Sequence, residues 1–223
     1  MTVDQVYTLF LDICGKNLQQ GYVSPAQFNS YINQAQNSYF DYLKGEYQKY
    51  QIKRPIAVVE IGQNQMVQQS LSSLIYGTVL SVDGSGISPF PSDYEVNNAM
   101  WGLYGYYNIK YVQQDRLDAY LHSTIDPVAQ NPVYLIQHEG FHFFPESIAS
   151  ARLSYYRTPP PITWGYDDDA NGLPVYNAAL SQQPIWADTD LYAIIVRALQ
   201  MAGVNLQFNQ VISYAENIKN NGQ

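Results

Sequence analysis

His138, Glu139 and His142 form an H-E-x-x-H pattern within the stretch YLIQHEGFHFFPES, residues 134–147. On a helix this spacing places two imidazoles one turn apart on the same face, which is how many zinc peptidases bind their metal. Glu139 would then act as the general base of a hydrolase. The third histidine, His122, does not stand at the downstream spacing of the common zinc peptidase classes. A zinc hydrolase is the first hypothesis that these residues raise.

The residues on either side of the pattern favour strands instead of a helix. Residues 133–137 are rich in strand formers, and the aromatic residues 141–144 resume an extended pattern. Residues 139–140, Glu-Gly, have the composition of a hairpin tip, and Pro145 would break a helix only three residues after the second histidine. The sequence therefore predicts a β-hairpin, and we assign no catalytic residue, no metal ligand and no cofactor.

A second pattern resembles the start of a calcium-binding loop. Asp167, Asp169, Asn171 and Gly172 match D-x-[DN]-x-[DN]-G, but Ala178 occupies the position of the bidentate glutamate. The alternative is an acidic turn, in which Asp and Asn side chains bond their own backbone and Asn-Gly supplies a positive φ. Calcium binding by residues 167–172 stays open at this point.

No other enzyme signature occurs in a usable context: neither G-x-S-x-G, nor a P-loop, nor G-x-G-x-x-G. Asp115, Arg116 and Asp118 are typical of a solvated charge cluster. Trp101 and the aromatic run YGYYNIKY, residues 104–111, are suited to stacking on bases or sugars, but aromatic strand faces more often form a core or an interface.

The charge balance argues against one class of function. The 223-residue chain has 11 basic and 19 acidic residues and a net charge of −8, which argues against binding nucleic acid by neutralising phosphates. Charged residues make up only 13% of the chain, while 21 tyrosines contribute to its polarity. Such a surface suits burial against other proteins, although a lineage habit in amino-acid usage would give the same composition.

Cysteine usage and hydropathy indicate the environment. The single Cys14 excludes internal disulfides and a cysteine-based zinc site. The N-terminal residues MTVDQVYTLF lack the basic region and long apolar core of a secretory signal, and no apolar run reaches membrane length. We expect a protein made and kept in a soluble, intracellular environment, with no membrane partner.

The first fifty residues predict two helices. Thr2 with Gln5 and Ser24 with Gln27 form capping boxes, and Pro25 stands at the first helical position of the second helix. The second helix is predicted to bury Phe28, Tyr31, Ile32, Ala35, Tyr39, Tyr42 and Leu43, and to expose Asn29, Asn33, Gln36 and Asn37 on its other side.

Short β-branched and aromatic segments follow from residue 54. The predicted strands are PIAVVEIG, IYGTVLSV, NIKYVQQ, VYLIQ, FHFF and ARLSYYR, separated by Gly, Pro and Asp turn signals. The stretch RTPPPITWGYDDDANGLPVYN is predicted to be a long ordered loop.

Helical periodicity returns near the C-terminus. Asp188 is the predicted N-cap of a helix that ends at Gly203. Its predicted buried face comprises Leu191, Ile194, Ile195, Ala198 and Leu199, and Val211, Ile212, Tyr214, Ala215 and Ile218 continue the pattern.

The element order predicts an α+β fold, in which N- and C-terminal helices form a helical bundle with an inserted antiparallel β-sandwich or barrel. The predicted boundaries are 1–53 for the N-terminal helical hairpin, 54–163 for the β module, 164–185 for the ordered loop and 186–223 for the C-terminal helices. All four would belong to one composite domain.

Several segments together resemble virion proteins. These are FPSDYEVNNA, ARLSYYRTPPPITWGY, NGLPVYN, a final YAE and IWADTDLYAIIVRALQMAGVNLQ, in which Ile194, Arg197 and Ala198 form an I-x-x-R-A core. The chain resembles small structural proteins of tailed phages that infect Bacteroidetes, the crAss-like group included. More remotely, it is similar to the head-to-tail adaptor, or tail tubular, proteins of short-tailed phages.

This resemblance implies a non-enzymatic subunit of a homo-oligomeric ring, about twelve-fold, docked beneath the portal. It implies portal and tail or neck proteins as partners, helices lining a channel through which double-stranded DNA passes without specific binding, and a β module facing outward or toward the next tail component. The protein would be located at the head–tail junction of the virion, and in the host cytoplasm during assembly. No functional residue is carried over. The inserted strands are longer than in the simplest adaptors, which leaves the particular ring open.

Two alternatives accompany this expectation. One is a binding module, such as a capsid decoration or a tail protein that contacts a receptor, with the aromatic strand face as its binding surface. The other is the zinc hydrolase, with His138 and His142 as ligands.

Overall fold

The computed structural model describes residues 1–17, 23–52, 58–103, 107–122 and 127–203, and within them the protein is mixed α+β. The helices described are α1 (Val3–Asn17), α2 (Pro25–Ile52), α3 (Val58–Leu71), α4 (Gln114–Leu121) and α5 (Asp188–Met201). The strands described are β1 (Ile75–Ser81), β2 (Ile87–Ser88), β3 (Tyr94–Gly102), β4 (Lys110–Tyr111), β5 (Val133–Gln137), β6 (Gly140–Phe144), β7 (Ser150–Arg157), β8 (Tyr166–Asp168) and β9 (Pro174–Tyr176).

The chain forms two compact units. Met1–Ser70 and Pro159–Gln223 make up the first, called the helical unit here, and Leu71–Thr158 make up the second, the β unit. The β unit is thus an insertion in the sequence of the helical unit. The predicted helix over residues 211–218 lies outside the described residues.

Both predicted capping boxes are present. The backbone N–H of Thr2 donates to Gln5 Oε1 at 2.9 Å, and the N–H of Gln5 donates to Thr2 Oγ1 at 3.3 Å. Ser24 and Gln27 form the same pair of bonds at 3.0 and 3.3 Å. These bonds satisfy N–H groups that have no partner within the helix, and so they fix where α1 and α2 begin.

The core of the helical unit lies where α2 packs against α5. The apolar face predicted for α5 is buried, as are most of the residues predicted for α2: Phe28, Ile32, Ala35, Tyr39 and Leu43. Tyr42 is an exception, because 52% of its surface is exposed.

The side of α2 that was predicted to be solvated instead holds another part of the chain. Asn33 Nδ2 donates to the carbonyl of Ile162 at 2.7 Å, and Asn33 Oδ1 accepts from the N–H of Ile162 at 2.8 Å. Asn29 makes the same pair of bonds to Trp164 at 3.2 and 2.8 Å. Gln36, only 1% exposed, donates to the carbonyl of Pro160 at 3.0 Å. We call these three side chains the amide ladder.

The amide ladder works because two periodicities nearly match. Four residues of a helix rise about 6 Å, and two residues of an extended chain rise about 6.6 Å. Residues 29, 33 and 36 can therefore meet alternate residues of an extended segment that runs in the opposite direction. Asn37 is exposed, as predicted.

Two local predictions were wrong. PIAVVEIG was predicted to be a strand, but α3 covers Val58–Leu71. Its β-branched residues disfavour a helix by only a few tenths of a kcal/mol each, and the Gln-rich stretch that follows favours continuation of the helix. Asp188 was predicted to be the N-cap of α5, but Ala187 occupies that position and Asp188 forms an ion pair with the amino group of Met1.

The described residues of the β unit form two sheets. One has the order β1-β7-β3 and is antiparallel throughout. The other has the order β2-β6-β5-β4, with β4 parallel to β5. Neither closes into a barrel, and NIKYVQQ contributes only the two residues of β4 before α4 begins. One buried cluster contains residues of both sheets: Leu80, Met100, Ile109, Tyr134, Phe141, Phe143, Ile148, Ala151, Leu153 and Tyr155.

Two tyrosines of this cluster keep their hydroxyl groups hydrogen-bonded. Tyr155 donates to Asp93 Oδ1 at 2.7 Å, and Tyr134 accepts from Asn97 Nδ2. Burial raises the pKa of Tyr134 to about 12. Burial, followed by the hydrogen bond to Asp93, raises the pKa of Tyr155 to about 12. Both phenols are therefore harder to ionise in the folded protein than in the unfolded chain.

No helix among the described residues is long and apolar enough to cross a membrane.

Replacement of Asn33 by Ala should lower the free energy of unfolding by about 1–3 kcal/mol, because it leaves the backbone N–H and C=O of Ile162 without their partners. Urea unfolding measures the change. The matched control is Asn37→Ala on the same helix, which should have little effect because Asn37 is exposed. Equal stability of the two variants would contradict the role given to the amide ladder.

Stability of the β unit should fall as the pH rises above 10. The unfolded tyrosines ionise near pH 10.0, whereas Tyr134 and Tyr155 do so near 12 when folded, so their contribution is intact below pH 10 and lost between these values. Urea unfolding at several alkaline pH values should show a shallower decline for Tyr155→Phe than for the exposed control Tyr111→Phe. Identical slopes would rule out this explanation.

Candidate functional site

The H-E-x-x-H residues lie in a β-hairpin, as predicted. β5 ends at Gln137, β6 begins at Gly140, and His138 and Glu139 form the exposed turn between them. Gly140 has φ +143°, and a Cβ there would lie 2.0 Å from the carbonyl oxygen of Ser88. Only glycine fits this position, so the turn is fixed by the sequence, and the helical arrangement of a zinc peptidase does not form.

His142 lies in β6, beside Phe144. Both ring nitrogens are buried and have no partner among the described residues, and the ring centre lies 4.4 Å from that of Phe144. His122 lies at the end of α4, where its Nδ1 is 3.0 Å from the carbonyl oxygen of Asp118. The described part of the chain contains no group of three or more His, Cys, Asp or Glu residues placed to bind a metal ion.

The acidic segment forms a tight turn between β8 and β9. Asp169 Oδ1 accepts from the backbone N–H groups of Asn171 at 2.7 Å and Leu173 at 2.8 Å. These bonds hold the pKa of Asp169 below its usual value. Gly172, with φ +74°, supplies the positive φ. The turn chemistry predicted as the alternative to a calcium loop therefore accounts for these residues.

The charged residues of α4 form the solvated cluster that the sequence predicted. Asp115, Arg116 and Asp118 are all exposed, and α4 has no buried residue. Nothing in their arrangement brings them to a cleft.

Trp101 borders a groove on the outer face of the β1-β7-β3 sheet. The groove has a volume of about 520 Å³, and its lining includes Gly77, Val79, Arg152 and Ser154. Trp101 was singled out from the sequence, whereas Arg152 and Ser154 were not. Their alternation with the buried Ala151, Leu153 and Tyr155 was the available signal, because alternate residues of a strand face opposite sides.

The segment from Thr163 to Gln182 is an ordered projection of the helical unit. Thr163 and Gln182 exchange two backbone hydrogen bonds at 3.1 and 2.8 Å, and the N–H of Asn177 donates to the carbonyl of Gly165 at 2.9 Å. Trp164, buried at its base, donates from Nε1 to Asp4 Oδ1 at 3.0 Å. These bonds fix both ends of the β8–β9 hairpin.

This projection presents large apolar side chains to solvent. Leu173, Val175 and Leu180 are 60%, 54% and 57% exposed. We call these three residues the hairpin surface. The sequence predicted an ordered loop here but not that its apolar residues would be exposed, because the loop's prolines and aspartates do not define a periodic pattern.

No protein-family model matches this chain, and no curated protein sequence matches it.

His142→Phe should leave the free energy of unfolding unchanged or raise it by about 1 kcal/mol, because it removes two buried nitrogens that have no hydrogen bond and keeps an aromatic ring beside Phe144. Urea unfolding tests this, with the exposed His138→Phe as the matched control.

A native mass spectrum of the wild-type protein with zinc supplied tests the same residues in a second way. We expect no stoichiometric zinc. One tightly bound zinc per chain, lost in His142→Phe, would contradict the structural role and restore the hydrolase hypothesis.

Proposed function

We propose that this chain is a structural protein of a tailed-phage virion, one subunit of a ring at the head–tail junction that connects the portal to the tail. In this proposal the helices of the helical unit form a bundle that lines the DNA passage, and the β unit is an inserted sandwich. The partners are the portal protein, tail or neck proteins and further copies of the chain.

The hairpin surface is the observation that carries this proposal. Its three side chains are large, apolar and exposed, and the segment that presents them is held in place by backbone hydrogen bonds at its base. Exposed apolar groups on an ordered projection are typical of surfaces that become buried against another protein. Because the hairpin is already ordered, little conformational entropy is lost when a neighbour covers it.

The resemblance to phage adaptors gives separate support. Within its I-x-x-R-A core, Ile194 and Ala198 are buried, and the Arg197 guanidinium lies 4.9 Å from the ring centre of Tyr39 and 5.4 Å from that of Tyr42. Arg197 thus helps α5 pack against α2, while Ile194 and Ala198 lie on the buried face of α5. Shared residues with a packing role suit a family whose work is done by assembly.

The net charge of −8 also fits a DNA passage. A protein that binds DNA tightly neutralises phosphates with a basic surface. A ring through which DNA must slide needs the reverse, since attraction would slow the passage of the DNA.

A specific observation favours the binding module as the second candidate function. The groove beside Trp101 and Arg152 combines an aromatic ring with a cation, which suits a sugar or an acidic group of a receptor. A capsid decoration or a receptor-contacting tail protein would use this surface.

Immunogold electron microscopy of virions and of tailless heads should place the protein at a single vertex of the head.

The double variant Leu173→Asp, Val175→Asp should lower the fraction of heads that are joined to tails, because two carboxylates would be buried at the contact. Electron microscopy of particles assembled with this variant measures that fraction. The control is Met66→Asp, an exposed apolar residue of α3 outside the hairpin.

Label spread over the whole capsid, or confined to the tail tip, would overturn the ring in favour of the binding module. Normal joining of heads and tails with the double variant would exclude the hairpin surface as the contact.

A further inference from the structure

β1 is an edge strand without the usual protection against pairing. It pairs with β7 on one side and with no described strand on the other. Proteins protect such edges with charges, prolines or bulges. The sequence of β1, IYGTVLS, contains no charge and no proline, and its seven residues pair with β7 in continuous register. The opposite edge strand of the same sheet, β3, has two register irregularities.

Solvent-exposed apolar side chains make this edge more prone to association with another strand. Ile75, Tyr76 and Val79 are 39%, 51% and 50% exposed. A long, regular, uncharged edge with exposed apolar residues is a template for addition of another strand.

We propose that β1 pairs antiparallel with β1 of a second copy of this chain, with the two-fold axis at Thr78. The sheets of the two copies would then join in the order β3-β7-β1-β1-β7-β3. In this register Thr78 lies opposite Thr78 of the second copy, and Gly77 lies opposite Val79.

The shape of β1 is complementary to itself in this register. Gly77 and Val79 both face the outer side of the sheet, since their neighbour Leu80 lies in the core. A Cβ built on Gly77 would meet only the carbonyl oxygen of Leu153, at 3.9 Å, so the fold does not require glycine there. In a strand without a bulge, a glycine often marks the close approach of a ligand or of another backbone. Here Val79 of the second copy fills the space above Gly77, and by symmetry the reverse contact forms as well.

The charges of the two copies do not oppose this pairing. β1 itself is uncharged. Arg152 of β7 lies beside Val79 on the outer face, and the two arginines of a pair would be separated by three strand spacings, about 14 Å, or more. This exceeds the screening length of about 8 Å at physiological salt.

The β1–β1 pair is proposed for the protein before assembly, and it does not depend on the ring proposal. An isologous contact uses the same surface on both copies and closes on itself, so it does not propagate into a ring. β1 belongs to the β unit, whereas the hairpin surface belongs to the helical unit. The pair would cover the unprotected edge before the protein meets its assembly partners.

Sedimentation velocity over a concentration series tests the pair. The wild-type protein should show a reversible monomer–dimer equilibrium. Val79→Lys should raise the dissociation constant at least about tenfold, because a lysine on an edge strand opposes strand addition. Ile136→Lys, at an exposed position of β5, is the matched control and should dimerise like the wild type.

Cross-linking tests the register. In Thr78→Cys the two introduced thiols would face each other across the axis, with Cβ atoms about 4.5–5.5 Å apart in such pairs, near the span of a disulfide. Mild oxidation should give a covalent dimer with Thr78→Cys and none with Ile136→Cys, and the buried Cys14 should not react.

A monomeric protein at all concentrations, or a dimer unchanged by Val79→Lys, would overturn the pair. The pair would also be overturned if the protein formed ring-sized assemblies and oxidation of Thr78→Cys gave no covalent dimer. The ring proposal would stand in that case. Conversely, a cross-linked dimer of a protein that labels the whole capsid would support the pair and refute the ring.

Discussion

The amide ladder of α2 is the contact on which the helical unit depends. An extended segment packed against a helix has backbone N–H and C=O groups that must find partners when water is excluded. Asn29 and Asn33 supply a donor and an acceptor to each of two alternate residues, Trp164 and Ile162. Gln36 donates to Pro160 and accepts from Trp186 Nε1 at 2.9 Å. One row of side chains therefore positions both the base of the β8–β9 hairpin and Trp186, two residues before the start of α5.

Where the signal is local, the sequence was sufficient to predict the structure. A capping box is complete within four residues, so Thr2 with Gln5 and Ser24 with Gln27 predicted two helix starts correctly. The H-E-x-x-H stretch was predicted correctly for the same reason, because its strand formers, the Glu-Gly pair and Pro145 are local signals for a hairpin. The contact of Gly140 with Ser88 adds a distant constraint that the sequence did not reveal. For this candidate site, local turn chemistry outweighed the match to a catalytic pattern.

The wrong predictions concern residues whose structure depends on a partner far away in the sequence, or on a longer stretch of sequence than the one considered. Asn33 and Ile162 are 129 positions apart, and polar residues at helical spacing are equally compatible with solvent, so the sequence could not identify the amide ladder. In α3, the window that predicted a strand ended at residue 62, before the Gln-rich continuation that favours a helix. At α5 the error was one residue, because Asp188 pairs with the N-terminus of the chain instead of capping its own helix.

The contrast between buried polar groups and exposed apolar groups connects the fold to the proposed assembly. Inside the helical unit, Tyr39 donates to the buried Asp190 at 2.7 Å and Ser70 donates to the same oxygen at 3.1 Å. Burial, and then the bond to Asp190, raises the pKa of Tyr39. The buried carboxylate of Asp190 is thus hydrogen-bonded within the helical unit, whereas the hairpin surface and β1 leave apolar area in water. Since burial of such area contributes roughly 25 cal/mol per Å², covering either surface would contribute free energy to the proposed contacts. The two surfaces belong to different units of the chain, and their proposed partners differ: assembly partners of the virion for the hairpin surface and a second copy of the chain for β1.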